Sequence, residues 1–252
     1  MRNAAFDLPS PDRTALFLDV DGTMIDFAVT PSEVVVPDRL VDDIATIERA
    51  LGGALAVVSG RTTLDIDHLF QPLRLRSSGV HGAEIRYDPL MAVTTAPTAH
   101  LLPTRLWQGL EDILSAFPGA AAENKRFSFA VNYRAAPGLG PRLLDALQEF
   151  AAAEPALQLN VIEANLAFDI KGGCFNKGAA IDDFLTRSPF AGRAPIFIGD
   201  DWTDESGFAA VERAGGVAYS VGTERPNVSG VFPNPAMVRE WLGRAAAEMA
   251  LS

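Results

Sequence analysis

Short apolar segments alternate with amphipathic segments over the first part of the chain. Residues 14–20 and 53–61 are apolar runs that end in polar residues or glycine, which predicts two buried strands. Residues 38–51 carry apolar side chains three and four positions apart, which predicts a helix between them. A second helix is predicted over 63–70, and strand and turn over 74–87. This alternation predicts a mostly parallel α/β sheet.

The pattern changes in the middle of the chain. Residues 104–117 and 141–153 have helical spacing, and each is followed by two strand-like segments, within 121–134 and 157–171. A repeated helix–strand–strand order predicts an antiparallel sheet with helices on one face. We therefore predict a separate small α+β domain over residues 102–168.

The α/β alternation then resumes. The remaining segments predict three helices and two strands, in the order helix 176–187, strand 194–201, helix 204–215, strand 216–221 and helix 235–250. Together these patterns predict a Rossmann-like α/β core formed by residues 1–101 and 169–252. The small α+β domain is then an insertion into that core.

Composition narrows the class of partner. The 252 residues are 48% apolar, with a formal net charge of -11, so the surface as a whole is a poor match for nucleic acid or an anionic membrane. The chain has no uninterrupted apolar run of about 18 residues, and its first residues lack a signal-peptide pattern. Cys174 is the single cysteine, which excludes an intrachain disulfide. We expect a soluble cytoplasmic protein whose oligomeric state the sequence does not set.

Acidic residues follow two of the predicted strands. Asp19 and Asp21 lie at the end of the first strand. Asp200 and Asp201 lie at the end of the strand over 194–201, and Asp204 lies just beyond it. The carboxyl ends of parallel strands meet at one edge of a sheet, where ligands bind. Like charges so close together repel each other, and a hard divalent cation such as Mg²⁺ relieves that repulsion through carboxylate ligands. The sequence therefore predicts a magnesium site at this edge.

Donors for an anion come from two other segments. Ser59 lies near the end of the second predicted strand and offers a hydroxyl group. Lys177 begins a predicted helix, where its ammonium group and the positive end of the helix both favour an anion. A phosphate group bound beside the metal fits this combination.

Four short motifs occur in a fixed order: "DVDGT", "VVSGR", "NKG" and "GDDWTDE". This set resembles the four motifs of the haloacid dehalogenase superfamily of phosphatases, and the inserted domain resembles the type-2 cap of that superfamily. With "GVHGAE" and "NYR" at these spacings, residues 14–245 are similar to the trehalose-6-phosphate phosphatase family. The expected fold is therefore a haloacid dehalogenase-like core with an inserted cap.

The resemblance implies a mechanism with two aspartates. Asp19 would be the nucleophile that forms an aspartyl-phosphate, and Asp21 the general acid and base. Mg²⁺ would be held by Asp19, by the main-chain carbonyl of Asp21 and by Asp200. Asp201 and Asp204 would lie behind these ligands, with direct contact between Asp201 and the metal left open.

The resemblance also implies how the substrate is held. The phosphate oxygens would be bound by Thr23, Ser59 and Lys177. In the cap, the family's Glu-x-Lys element falls on Glu123 and Lys125. Glu123 and Lys125 are therefore expected to bind the sugar.

A further sugar contact comes from the segment before the third motif. The family has a glutamate in a Glu-Ile-Lys-Pro-like segment, where this chain has Asp169 in "DIKGG". His81 and Glu84 in "GVHGAE" are additional candidates for the sugar, although His81 also fits a packed or hydrogen-bonded loop residue.

The activity expected from this family is Mg²⁺-dependent hydrolysis of trehalose 6-phosphate to trehalose and phosphate, in trehalose biosynthesis. One alternative is a related phosphatase for a sucrose-, mannosylglycerate- or polyol-phosphate. A second is a non-catalytic sugar-phosphate sensor on the same scaffold. Retention of Asp21 argues against the sensor, because an inactive relative has no need for an acid and base.

Overall fold

The computed structural model describes residues 10–27, 34–173 and 175–251, so Cys174 lies outside the described residues. Twelve strands are present in that part of the chain: β1 (Thr14–Leu18), β2 (Leu55–Val58), β3 (Arg76–Gly79), β4 (Glu84–Arg86), β5 (Thr94–Thr95), β6 (Ala121–Asn124), β7 (Ser128–Asn132), β8 (Leu159–Ala164), β9 (Ala167–Gly172), β10 (Ala194–Gly199), β11 (Val217–Val221) and β12 (Gly230–Phe232). Seven α-helices accompany them: α1 (Asp38–Ala50), α2 (Thr63–Leu69), α3 (Thr104–Leu114), α4 (Gly140–Ala152), α5 (Lys177–Leu185), α6 (Glu205–Arg213) and α7 (Pro235–Met249).

The chain divides into two compact units. The first comprises Met1–Thr94 together with Asn176–Ser252, and the second comprises Thr95–Phe175. The predicted domain boundaries at 101/102 and 168/169 stay a prediction. The second compact unit, Thr95–Phe175, is slightly longer than the predicted domain over 102–168.

The first unit is built on a mostly parallel sheet, as predicted. Its strand order is β12-β11-β10-β1-β2-β3-β4-β5, in which the six strands from β12 to β3 pair in parallel and β4 runs antiparallel to β3. β1 lies in the middle and all five of its residues are buried. Phe17 of β1 stacks on Phe190 with ring centroids 5.3 Å apart, and Phe184 of α5 lies 6.0 Å from Phe17. These aromatic contacts hold α5 against the central strand.

The second unit contains a four-stranded antiparallel sheet in the order β6-β7-β9-β8, which confirms the predicted helix–strand–strand repeat. Its core joins one sheet face to α3 and α4 through a cluster that includes Leu106, Leu110, Phe129, Val131, Leu143, Leu147, Phe168 and Ile170. Alternation along β9 points Phe168 and Ile170 to this core and leaves Asp169 on the opposite face.

Candidate active site

Three predicted site segments meet because their strands are neighbours. β1 pairs in parallel with β10 on one side and with β2 on the other. Asp19 follows β1, Asp200 follows β10 and Ser59 follows β2, so all three residues lie at the carboxyl edge of the sheet. The main-chain N–H of Asp19 donates to the carbonyl of Ile198 at 3.0 Å, which extends the β1–β10 register up to the first carboxylate.

A cluster of carboxylates forms at this edge. Asp19, Asp200 and Asp204 each place one oxygen within 4.8 Å of the others. Asp19 is only 4% exposed and Asp204 is fully buried. Three acidic oxygens at this separation are a donor set suited to a hard divalent cation, which takes oxygen ligands.

Lys177 supplies a cation inside the cluster. It is the first residue of α5, where Asn176 caps the helix by accepting a hydrogen bond from the N–H of Ala179 at 2.8 Å. The Nζ of Lys177 donates to Asp19 Oδ1 and to Asp204 Oδ1, both at 2.7 Å, and the side chain is 3% exposed. One ammonium group therefore faces several carboxylates.

The pKa values express the excess of negative charge. Burial, followed by repulsion from Asp19, Asp204 and Asp201, raises the pKa of Asp200 to about 10. Burial also raises the pKa values of Asp19 and Asp204, against the attraction of Lys177. Burial lowers the pKa of Lys177, but the attraction of Asp19, Asp204 and Asp201 is stronger and holds the pKa of Lys177 well above its usual value. A divalent cation would remove the imbalance, so the residues present fit a metal ion.

Asp204 and Asp201 support the cluster through the loop after β10. Asp204 Oδ2 accepts from the main-chain N–H groups of Asp200 at 3.0 Å and Asp201 at 3.1 Å. Asp201 Oδ1 accepts from the N–H and the hydroxyl of Thr203 at 2.8 and 2.6 Å, and so caps the short 3-10 helix Trp202–Asp204. Both aspartates therefore shape the backbone that presents Asp200.

Thr23 and Gly22 close the turn after β1. The Thr23 hydroxyl donates to Asp19 Oδ2 at 3.1 Å, so it contacts the same carboxylate as Lys177 does. Gly22 has a φ of +76°, and a Cβ there would lie 2.3 Å from Asp200 Oδ2. Glycine is required because the backbone passes directly beside a carboxylate.

Asp21 has a different environment from Asp19. Its two carboxylate oxygens accept from the Arg61 guanidinium, Nε to Oδ2 at 2.6 Å and Nη2 to Oδ1 at 2.7 Å. No role was predicted for Arg61, although it stands in "VVSGR" two residues after the predicted phosphate-binding Ser59. Ser59 is 1% exposed, and its Oγ accepts from the N–H of Arg61 at 3.2 Å.

His81 and Glu84 hold neighbouring loops. The N–H of His81 donates to the carbonyl of Ser59 at 2.9 Å, and a Cβ on Gly60 would lie 2.6 Å from the His81 ring. Glu84 accepts from the N–H and the hydroxyl of Thr63 at 2.8 Å. These contacts favour the loop interpretation of His81.

The three predicted sugar contacts lie together in the second unit. Glu123 and Asp169 share one rung of the sheet, with Ala130 between them. The Nζ of Lys125 lies 3.9 Å from a carboxylate oxygen of Glu123. Register thus brings two carboxylates and one ammonium group, from segments about 45 residues apart, to one region of the sheet.

The parallel core, the inserted antiparallel unit and the lysine among strand-end aspartates define a phosphatase of the haloacid dehalogenase superfamily. A solved phosphatase of that superfamily from Bacteroides thetaiotaomicron covers 100% of both chains with a TM-score of 0.59 at 13% identity. A solved C-terminal domain of trehalose-6-phosphate phosphatase from C. albicans covers 94% of this chain and 92% of its own, with a TM-score of 0.80 at 18% identity.

The family model for trehalose-phosphatase matches residues 17–232, and the chain belongs to this family. Trehalose-6-phosphate phosphatase of Escherichia coli (strain K12) is 36% identical over 229 residues, which span 90% of this chain and 85% of the relative. A probable trehalose-phosphate phosphatase of Sinorhizobium fredii (strain NBRC 101917 / NGR234) is 38% identical over 215 residues, 85% of this chain and 80% of the relative. Among the described residues, no helix combines the length and the apolarity needed to cross a bilayer.

Proposed function

We propose that this phosphatase hydrolyses trehalose 6-phosphate to trehalose and phosphate, with Asp19 as the nucleophile. The observation that carries the proposal is the buried contact of Asp19 with Lys177, beside Asp200, in a member of the trehalose-phosphatase family. Lys177 holds one oxygen of Asp19 and Thr23 holds the other, so the carboxylate is fixed in orientation before a substrate binds.

In the first step, a carboxylate oxygen of Asp19 attacks phosphorus, and the bond from phosphorus to the sugar oxygen breaks. Asp21 supplies the proton that the departing sugar oxygen takes. In the second step, water attacks the aspartyl-phosphate and Asp21 accepts its proton, which releases phosphate and restores both aspartates. Thr23, Ser59 and Lys177 are proposed to bind the phosphate oxygens, whose charge Lys177 partly neutralises.

We propose Mg²⁺ as the metal, held by Asp19, the main-chain carbonyl of Asp21 and Asp200. When bound, it would neutralise the carboxylates and polarise the phosphate. Asp204 uses one oxygen on Lys177 and the other on main-chain N–H groups, which supports its place behind the ligands. Asp201 Oδ1 accepts from the N–H and the hydroxyl of Thr203, which supports a place for Asp201 behind the ligands as well.

For the sugar, we propose Glu123, Lys125 and Asp169 as the recognition residues. Carboxylates accept and an ammonium group donates hydrogen bonds, and a disaccharide offers hydroxyls that do both. Asp169 is one methylene shorter than the family glutamate, so its sugar contact is the part of the proposal that depends most on this chain's own residues. We propose that the reaction takes place in the cytoplasm. A chain with a single cysteine forms no intrachain disulfide, which fits a reducing compartment.

The test is phosphate release by the purified protein from trehalose 6-phosphate, sucrose 6-phosphate and glucose 6-phosphate, with Mg²⁺ present and with it chelated. We expect the kcat/KM for trehalose 6-phosphate to exceed that for glucose 6-phosphate by about tenfold or more, and chelation to stop turnover. Equal rates would point to another phosphosugar. Absence of hydrolysis of any phosphomonoester with Mg²⁺ would favour the sensor alternative.

A further inference from the structure

Arg61 and Asp21 form a two-point ion pair, and Arg61 takes no part in the two proposed steps of hydrolysis. Two nitrogens of the Arg61 guanidinium meet both oxygens of Asp21, at 2.6 and 2.7 Å. The Arg61 side chain is 13% exposed and that of Asp21 is 30% exposed. We call this two-point contact of the planar guanidinium with the planar carboxylate the Arg61 fork. It sets the direction of the carboxylate as well as its distance from the guanidinium, which a single hydrogen bond does not do.

The main chain of Arg61 is held on both sides. Its N–H donates to Ser59 Oγ at 3.2 Å, and its carbonyl accepts from the N–H of Val80 at 2.8 Å. Val80 and His81 have φ values of +48° and +54°, in the left-handed region that a β-branched residue rarely occupies. Residues kept in such conformations are held there by their surroundings and cluster at functional sites. The strained turn therefore anchors the segment that presents Arg61.

The backbone around Asp21 is equally constrained. Asp21 forms a bridge with Ile25, the N–H of Gly22 donates to the carbonyl of Ile25 at 2.8 Å, and that of Met24 to the carbonyl of Val20 at 2.9 Å. The tight turn fixes the Cα of Asp21 but leaves its side-chain torsions free. The Arg61 fork restrains those torsions.

We propose that Arg61 is a positioning residue that aims the carboxyl group of Asp21 at the leaving sugar oxygen and at the attacking water. This inference rests on the proposed function of Asp21 as acid and base. Arg61 itself neither gives nor takes a proton. Each oxygen of Asp21 has two lone pairs, so the oxygen that carries the proton to the leaving group can still accept from Arg61 on its other side. Both contacts, and with them the direction of the carboxyl group, are then kept through both steps.

The test compares two leaving groups through kcat/KM, which reports the steps up to departure of the leaving group. Trehalose leaves as a poor alkoxide and needs the proton from Asp21, whereas p-nitrophenolate leaves without one. We expect Arg61→Ala to lower kcat/KM for trehalose 6-phosphate by about 100-fold and for p-nitrophenyl phosphate by about threefold at most. Arg61→Lys keeps the charge but not the fork, and it should recover only a small part of the loss.

Two further variants make the outcome decisive. Asp21→Asn should show the same substrate dependence, and adding Arg61→Ala to it should cause little further loss. Arg213→Ala removes a surface arginine paired with Asp182 and should leave both kcat/KM values and the melting temperature unchanged. Equal losses on both substrates, or losses of Arg61→Ala and Asp21→Asn that multiply, would overturn the proposal.

Failure of the proposed function gives a separate result. If the unmodified protein hydrolyses glucose 6-phosphate but not trehalose 6-phosphate, the substrate assignment is wrong, and glucose 6-phosphate replaces it as the ester with a poor leaving group. The same difference between leaving groups then supports the role of Arg61. A protein inactive on every phosphate ester would overturn both proposals.

Discussion

Lys177 Nζ and Asp19 Oδ1 lie 2.7 Å apart, although 158 residues separate them in the chain. The pair is buried, with side-chain exposures of 3% and 5%. The parallel pairing of β1 with β10 and the packing of α5 on β1 bring the two groups together. This contact places the proposed nucleophile beside a fixed positive charge.

Asp19→Asn should abolish phosphate release and leave the fold intact, because the amide keeps the shape of the side chain but is a poor nucleophile. Turnover is measured by phosphate release and folding by far-UV circular dichroism. Asp112→Asn, at an exposed position of α3, is the matched control and should retain full activity. Activity retained by Asp19→Asn would require another nucleophile.

Lys177→Met should destabilise the protein by about 3–5 kcal/mol, since it leaves buried carboxylates without their cation. Urea unfolding in the presence of a chelator measures this cost. Adding Asp204→Asn to Lys177→Met should recover part of the stability, because one buried charge is then removed. If the double variant were less stable than Lys177→Met alone, the charge argument would be wrong.

Mg²⁺ should raise the melting temperature of the unmodified protein, because an ion that binds only the folded state stabilises that state. Asp200→Asn removes a proposed ligand and should reduce that rise. Differential scanning fluorimetry with and without millimolar Mg²⁺ measures both. A melting temperature unaffected by Mg²⁺, together with full activity in chelator, would contradict the metal site.

Without metal, stability should fall as pH rises, because the pKa of Asp200 is raised to about 10 by burial and by Asp19, Asp204 and Asp201. An unfolded aspartate has a pKa of about 4. The folded state therefore keeps a proton that the unfolded state loses, so this contribution is complete below pH 4 and declines towards pH 10.

Urea unfolding of chelator-treated protein between pH 5 and 9 checks this dependence. The free energy of unfolding should decline with pH more steeply than that of Asp200→Asn, by up to about 1.4 kcal/mol per pH unit. Parallel profiles for the two proteins would contradict the raised pKa.

Lys125→Ala should lower kcat/KM for trehalose 6-phosphate far more than for p-nitrophenyl phosphate, since the small ester has no sugar hydroxyls to lose. Arg126→Ala removes the exposed arginine that follows and serves as the matched control. Equal losses on both substrates would move Lys125 out of the sugar site.

Sequence patterns predicted most elements of the fold. The helix predicted over 38–51 is α1, and the apolar run over 14–20 contains β1. Periodicity reports which side chains are buried, which is a local property. The two short strands β5 and β12 were not predicted, because a strand of two or three residues is too short to show a period.

The sequence by itself determined the type of chemistry: aspartates after apolar strands, a serine and a lysine in ordered motifs, and a helix–strand–strand insertion. Only the tertiary structure decided which of these groups touch. The Arg61–Asp21 pair joins residues 40 apart, and the junction of Lys177 with Asp204 spans 27 residues. Such contacts depend on strand order and on the strained turn at Val80, and neither leaves a periodic signal in the chain. The physical reason is that burial is encoded residue by residue, whereas pairing depends on how the whole sheet is assembled.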